Sequence, residues 1–376
     1  MKKKSIAIDA SGEKNWIGGL YYKKNIIFSI IQNENILSEY EIIILTNQEN
    51  EYLFADFRDK AKIVLLPSYN KRLDKLLKLL VLFRYRCRYI FPYYGESFYK
   101  YFGIEEIYWI PDFQECYYPE FFSKELIDLR KGISERLVKS KDLLVLSSQN
   151  AYDDLTRFFG KKNEVAIVNF VSYIEKEING IGKAYENEIL KKYQIEKDKY
   201  VCICNQFWQH KNHLVVLKMI KKLVGKYPDN KLNFVFTGEL KDYRNKNYFN
   251  LLQNLFNDAD VSSRCKMLGF IDRKEQIVLI KNAKCVIQPS LFEGWGTVLE
   301  DAKVLDKMVL LSDIPVHREQ KNNNCVLFNP HDPEELLEGL IKVNSMTHKD
   351  DISKGLDRMY KDAAEYSKKF ETLIKI

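Results

Sequence analysis

Long apolar runs and paired metal-ligand motifs are both missing from this 376-residue chain. No stretch approaches the roughly 18 uninterrupted apolar residues that a membrane-spanning helix needs. The basic start, MKKKSIAIDASGE, has an apolar run too short for a signal peptide, and Asp9 interrupts it. These absences point to a cytoplasmic protein. Seven cysteines form no CxxC pair and five histidines show no HExxH-type spacing, so no metal is expected. Cys202 and Cys204 stand two apart in an apolar strand pattern, which predicts buried thiols on one side of that strand. No histidine precedes His210.

What is present fits an ordinary globular protein of two domains, with 46% hydrophobic and 30% charged residues. The net charge of +7 is modest but unevenly placed: residues 69–92 hold seven basic groups against Asp74, a net +6. Within that segment Leu73, Leu76, Leu77, Leu80 and Leu82 recur at helical spacing. Such a helix could bury its leucines in an ordinary core or rest on an anionic membrane surface, as a peripheral protein would. No nucleic-acid-binding module accompanies the charge, so nucleic acid is not expected as a partner.

Short apolar runs alternate with helical patterns along the whole chain. Strands are predicted at 5–10, 41–46, 62–67, 107–112, 143–148 and 164–170, then at 199–205, 232–238, 265–271, 284–290, 308–313 and 325–330. Helices are predicted around 20–34, 70–85, 123–138 and 149–160, and at 212–226, 246–257, 274–282, 297–306, 333–344 and 350–373. The alternation predicts an α/β chain of two Rossmann-like domains, their parallel sheets facing across a cleft. The expected division is 1–172, a linker at 173–197, a second domain at 198–346, and a final helix, 347–376, packing back toward the first domain. Ligands of such sheets sit beyond the carboxyl ends of the strands.

Two strand ends carry the most chemistry. In SLFEGWGTVLEDAK (290–303), Glu293 precedes Gly294-Trp295-Gly296, and a helix opens near Thr297 with Glu300 and Asp301 in its first turns. Glycines let a backbone approach a ligand, and amides at a helix start bind phosphate. Carboxylates accept hydrogen bonds from vicinal hydroxyls, so the combination suits a nucleotide sugar. Thr297-x-x-Glu300 also reads as a capping box, which would leave Asp301 to meet the ligand. The second strand end, CNQFWQHKNHLVV, places Lys211 just before a helix, a favourable diphosphate position.

The stretch PSLFEGWGTVLEDAKVLDKMVLLSDIPVHREQ resembles the donor-binding signature of family 4 glycosyltransferases, retaining enzymes of the GT-B fold (glycosyl transferases group 1). That family carries E-G-F-G with a second glutamate eight positions after the first. The resemblance implies that Glu293 lies near the donor sugar; Asp301 is eight residues on and Glu300 seven, so either could meet the ribose. An arginine usually stands five residues before the lysine, where this chain has Gln206, so Lys211 would neutralise the diphosphate alone or with Lys303. Gly18-Gly19, ahead of an amphipathic helix, resemble the glycine loop after the first strand. The family's histidine-aspartate pair is represented by Pro111-Asp112, which leaves Asp112 as a candidate on the acceptor side or as a loop support. Asp313 and Glu319 read as capping residues first.

The implied function is transfer of a sugar from a nucleoside diphosphate to a hydroxyl of a glycan or lipid-linked acceptor, without a metal cofactor. Bacterial surface polysaccharide is the implied setting. A nucleotide-sugar epimerase of the same fold and a two-lobed sugar-binding protein are the alternatives.

Overall fold

The computed structural model describes residues 3–12, 17–162, 164–240 and 246–375, without the side chains of Ile17, Lys71 and Lys246. The chain divides into two compact units, Met1–Tyr173 with Met359–Ile376, and Ile174–Arg358. Among the described residues no helix is long and apolar enough to cross a membrane.

The first unit is built on β1 (Lys4–Asp9), β2 (Tyr40–Thr46), β3 (Ala61–Leu65), β4 (Cys87–Tyr93), β5 (Glu105–Ile110), β6 (Leu143–Leu146) and β7 (Val165–Ile167). They form one sheet in the order β3-β2-β1-β4-β5-β6-β7, with every pairing parallel. Strand β4 pairs directly with β1 yet lies in the part of the basic segment beyond the predicted helix 70–85, where no strand was predicted. Arg86 and Arg88 flank its start and Pro92 lies within it, which breaks the apolar run on which the other strands were found. The helix Ile17–Ile30 was expected to be amphipathic. It is buried nearly all round instead, with Lys23, Lys24, Asn25 and Ser29 inside alongside Leu20, Ile26, Ile27 and Ile30. Polar groups enclosed in this way need partners, as Lys23 finds in the Ser11 carbonyl and Ser29 in the Asn25 carbonyl.

The second unit carries β8 (Tyr200–Cys204), β9 (Asn233–Thr237), β10 (Cys265–Met267), β11 (Cys285–Gln288), β12 (Val309–Ser312) and β13 (Cys325–Phe328), in the parallel order β10-β9-β8-β11-β12-β13. Strand β8, YVCIC, is buried along its whole length, as a strand covered on both faces must be. Cys202 and Cys204 bring their sulfurs to 3.2 Å on one face of it. Val201, Ile203, Phe234, Phe236 and Ile287 on the sheet pack with Val216, Ile220 and Leu340 from helices. Each such fully buried side chain contributes roughly 1.5–3 kcal/mol.

Residues 173–197, expected as a linker, carry the helices Glu175–Asn179 and Lys183–Lys192, and from Ile174 onward they belong to the second unit. Ile178, Ile181, Ile189 and Ile195 are buried there, a sparse apolar pattern hidden among many charges. The last helix, Ile352–Lys375, groups with the first unit from Met359. Tyr89 donates to the Ile374 carbonyl at 2.5 Å, Asn33 to Glu371 at 2.8 Å, and Phe91 packs on Phe370.

Candidate functional site

In the second unit the strand order reverses between β8 and β11, the position where doubly wound sheets bind ligands beyond their carboxyl ends. The loops leaving these two strands are those that carry Lys211 and Glu293. After Cys204 the chain makes the 3-10 turn Gln209–Lys211, passes through Asn212 in the left-handed region (φ 55°), and enters the helix His213–Lys226. Asparagine tolerates that conformation, and its side chain has a second task here. Its amide donates to the Pro289 carbonyl at 3.1 Å and the Pro330 carbonyl at 2.8 Å, joining the loops after β8, β11 and β13. Leu291 N–H donates to the His210 carbonyl at 2.7 Å.

Lys211 and Glu293, 82 positions apart, meet in an ion pair of 2.6 Å. The same carboxylate oxygen, Oε1, also accepts from Ser290 Oγ at 2.7 Å and Gln288 Nε2 at 3.0 Å. Gln288 is held by a reciprocal amide pair with Asn205, at 3.0 and 3.1 Å. Burial works against ionisation of Glu293, but the Lys211 charge and hydrogen bond outweigh it and lower the carboxyl to about 2. Glu293 is therefore a fixed anion that aims the Lys211 ammonium. His317, fully buried, meets Ser312 through Nδ1, at 2.9 Å from the backbone oxygen and 3.0 Å from Oγ. Desolvation pushes it down to about 4 despite the pull of Glu293, so it is neutral. His213 is also buried and neutral, lowered by desolvation to about 3, and stacks on Phe207 at 4.2 Å. The lysine is thus the cation of this cluster.

The helix Thr297–Val304 begins beside this pair. No capping box forms, contrary to one of the two sequence readings of Glu300. The cap residue is Gly296, and Gln320 serves it from another helix, Pro315–Gln320. Gly296 N–H donates to Gln320 Oε1 at 3.0 Å, while Gln320 Nε2 reaches the Gly296 carbonyl and Glu300 Oε1, each at 2.8 Å. Glu300 also pairs with Lys303 at 2.9 Å. With Gly296 rather than Thr297 as the cap residue, the Thr297-x-x-Glu300 spacing falls one position out of capping-box register. Asp301 is fully buried, and Arg273 grips its two oxygens at 2.5 and 2.6 Å. Gly294, Trp295 and Thr297 lie in the turn and at the helix start, all half-buried or at its edge. Gln206 is half-buried, and its side-chain oxygen is buried without a partner among the described residues.

Several contributors were not singled out by the sequence. Asn205, Ser290 and Gln320 stand inside the quoted stretches, Gln288 and Arg273 outside them, and all five support the motif residues. Gly238 closes β9 at φ 134°, where an added Cβ would stand 2.2 Å from the Asn205 carbonyl, so no other residue fits. Only the glycine directly after an apolar strand could have signalled it.

The candidates of the first unit have different surroundings. Gly18 and Gly19 fall in the first turn of the helix Ile17–Ile30 rather than ahead of it, and residues 13–16 of their loop lie outside the described residues. Asp112 accepts from Gln114 N–H at 3.1 Å and from Arg130 at 3.3 Å, and Arg130 also donates to its carbonyl at 2.8 Å. That is a turn clamped to a helix, the loop-support reading. Asp313 is held by Nε and Nη2 of Arg318, one on each carboxylate oxygen. An unforeseen cluster stands at the end of β1. Lys78 reaches Asp9 at 2.5 Å, and Lys23 donates to the Ser11 carbonyl. Burial raises the Asp9 carboxyl, but the two lysines more than offset it and leave it below its ordinary value. Burial in turn lowers Lys23 to about 8.

Comparison with known proteins gives this geometry a context. Residues 186–370 match the sequence model of the family described as Glycosyl transferases group 1. The O-antigen chain mannosyltransferase RfbU of Salmonella typhimurium is 23% identical over 223 residues, covering 59% of this chain and 56% of the relative. The chain spans about half the length of the curated relatives it matches. A solved glycosyltransferase from Rickettsia africae has a TM-score of 0.69 at 14% identity, covering 100% of this chain and 99% of that one. Anabaena Alr3699/HepE, solved in complex with UDP-glucose, has a TM-score of 0.69 at 13% identity over 100% of both chains. The chain shares their fold, two Rossmann-like units of the GT-B class.

Proposed function

Because residues 186–370 belong to the glycosyl transferases group 1 family, we propose that this protein moves a sugar from a nucleoside diphosphate to an acceptor hydroxyl. The observation that supports this most is the Lys211 ammonium, aimed by the fixed Glu293 anion at the switch point of the second sheet. A diphosphate leaving group gains negative charge as its bond to the sugar breaks. Lys211 and the amides of the helix's first turn from Thr297 onward, the Gly296 N–H being taken by Gln320, would stabilise that charge. Gln206 adds a neutral group where relatives carry an arginine, so the lysine bears the charge alone. Lys303 is engaged by Glu300 and contributes little. Positive charge then comes from the protein, and no divalent metal is needed.

For the ribose hydroxyls we favour Glu300 over Asp301, whose oxygens are both committed to Arg273. Transfer is proposed to retain the anomeric configuration. The bond from the anomeric carbon to the phosphate oxygen breaks, the acceptor oxygen attacks from the same face, and its proton passes to the departing phosphate. The UDP-glucose of the Anabaena neighbour suggests a UDP sugar, and the O-antigen mannosyltransferase suggests a mannosyl donor and surface polysaccharide synthesis, with a glycan or lipid-linked acceptor as our reading. The free cysteines suit a reducing, cytoplasmic setting.

The test is product formation from UDP- and GDP-hexoses with EDTA present, reading the anomeric configuration of the new linkage by NMR. Retained configuration and activity in EDTA are expected. An inverted product, or a donor isomerised without acceptor, would replace this reading with another.

A further inference from the structure

The helix Lys71–Arg84 presents an outward stripe that its own fold leaves uncovered. Asn70 caps it, accepting from Arg72 N–H at 3.2 Å and Leu73 N–H at 3.0 Å. Its inner face buries Leu79 and Leu82, and Lys78 reaches inward to Asp9. Leu73, Leu76 and Leu80, expected on the same apolar face as Leu82, point the other way and are 40%, 52% and 64% exposed. Phe83 and Tyr69 are exposed too. Positions 69, 73, 76, 80 and 83 alternate steps of four and three, which places them in one line along the helix.

A second element widens this line. Phe83 meets Phe102 edge to face at 6.4 Å, and Phe102 with the exposed Tyr101 lies on the 3-10 turn Tyr99–Phe102. Basic groups border the apolar strip. By helical position Arg72 and Arg84 fall on its two sides, both exposed, and Arg86 and Arg88 follow immediately, exposed as well. Lys75 lies over the Phe98 ring at 4.9 Å. Asp74, the one acidic residue of the segment 69–92, is turned back to accept from Tyr69 N–H at 2.9 Å.

We infer that this face docks on an anionic lipid surface, with the leucines and Phe83 in the acyl boundary and the arginines among the headgroups. Charge selects this occupant. A second copy presenting the same face would oppose arginine to arginine, and a neutral apolar partner would leave the arginine border unmatched. Anionic headgroups satisfy both features at once, since long basic side chains lie along the apolar layer and hold their charge at its edge. The inference goes beyond the transferase reading and stands without it.

Co-sedimentation of the full chain with vesicles tests it, comparing phosphatidylcholine alone with a phosphatidylcholine–phosphatidylglycerol mixture. Binding to the anionic mixture only is expected, weakening as salt rises. Leu76→Glu with Leu80→Glu should reduce the partition about tenfold or more, and Arg72→Gln with Arg84→Gln by about tenfold. All four positions are exposed, so unchanged melting temperatures are expected, and the arginine pair keeps the test open should the glutamates disturb folding. No sedimentation of the wild type with anionic vesicles would overturn the inference. So would equal binding to both compositions, or a dimer that Leu80→Glu dissociates without any vesicle binding.

Discussion

The two units place charge at matching positions and put it to opposite uses. Each sheet reverses its strand order once, at β1/β4 in the first unit and β8/β11 in the second. At the second of these, a buried carboxylate takes three donors on one oxygen and holds a lysine in place. At the first, two lysines close around one carboxylate, Asp9, and one of them arrives from the helix Lys71–Arg84. Three donors on Glu293 fix the ammonium in place, as the proposed donor site requires, whereas two cations on Asp9 leave the carboxylate enclosed. An ion pair at a strand end is therefore a poor guide to chemistry until its other hydrogen bonds are counted.

Four perturbations break or sharpen that contrast. Lys211→Ala carries the largest effect: transfer should fall about 10²- to 10³-fold, since the leaving charge loses its cation. The Glu293 carboxyl would then lie buried among neutral donors, so its pKa should rise, measurable by NMR of the side-chain carboxyl.

Acid comes next. All five histidines lie in the second unit, and His213 and His317 are held neutral with folded values of about 3 and about 4. The unfolded chain protonates them near 6.5, so stability is lost as pH falls from there toward the folded values. At pH 5 that amounts to about 2 kcal/mol for each. In the first unit, burial raises Glu115 and Asp154, which has the opposite sign. Hydrogen exchange at pH 7 and pH 5, corrected for intrinsic rates, should show the second unit weakening alone. His213→Phe with His317→Gln should flatten the difference.

Asp9→Asn should cost the first unit about 2 kcal/mol by urea unfolding, as Lys78 and Lys23 lose their shared anion while remaining partly hydrated. Because that carboxyl is depressed in the fold, its contribution persists above its ordinary value and disappears as pH falls through the folded one. Gln320→Ala is the mildest, about 1–2 kcal/mol, from the unserved cap of Thr297–Val304. It should loosen Glu300 and weaken nucleoside binding more than phosphate binding.

The sequence makes the second unit far more legible than the first. Its six strands are each an apolar run ended by a turn residue, and Lys211 and Glu293 stand in recognisable motifs. Their pairing was not visible across 82 positions, nor was Arg273 as the partner of Asp301 or Gln320 as a cap. Those contacts join residues far apart in the chain, brought together by strand order. In the first unit the central strand β4 was hidden by arginines and a proline. The leucines of Lys71–Arg84 were assigned one face when two were occupied, because spacing alone gives a face without saying which side is inward. Gly18 and Gly19 show the same difficulty at a smaller scale: two glycines mark a helix start without fixing on which side of it they fall.

The most direct measurement is thermal unfolding with UDP, GDP, ADP and CDP on the wild type, Lys211→Ala and Asp9→Asn. One nucleotide at about 100 times its dissociation constant should stabilise the wild type by roughly 2.7 kcal/mol. The shift should vanish in Lys211→Ala and persist in Asp9→Asn. A shift kept by Lys211→Ala and lost by Asp9→Asn would place the nucleotide at the other strand end and contradict the assignment of the donor site to the second unit.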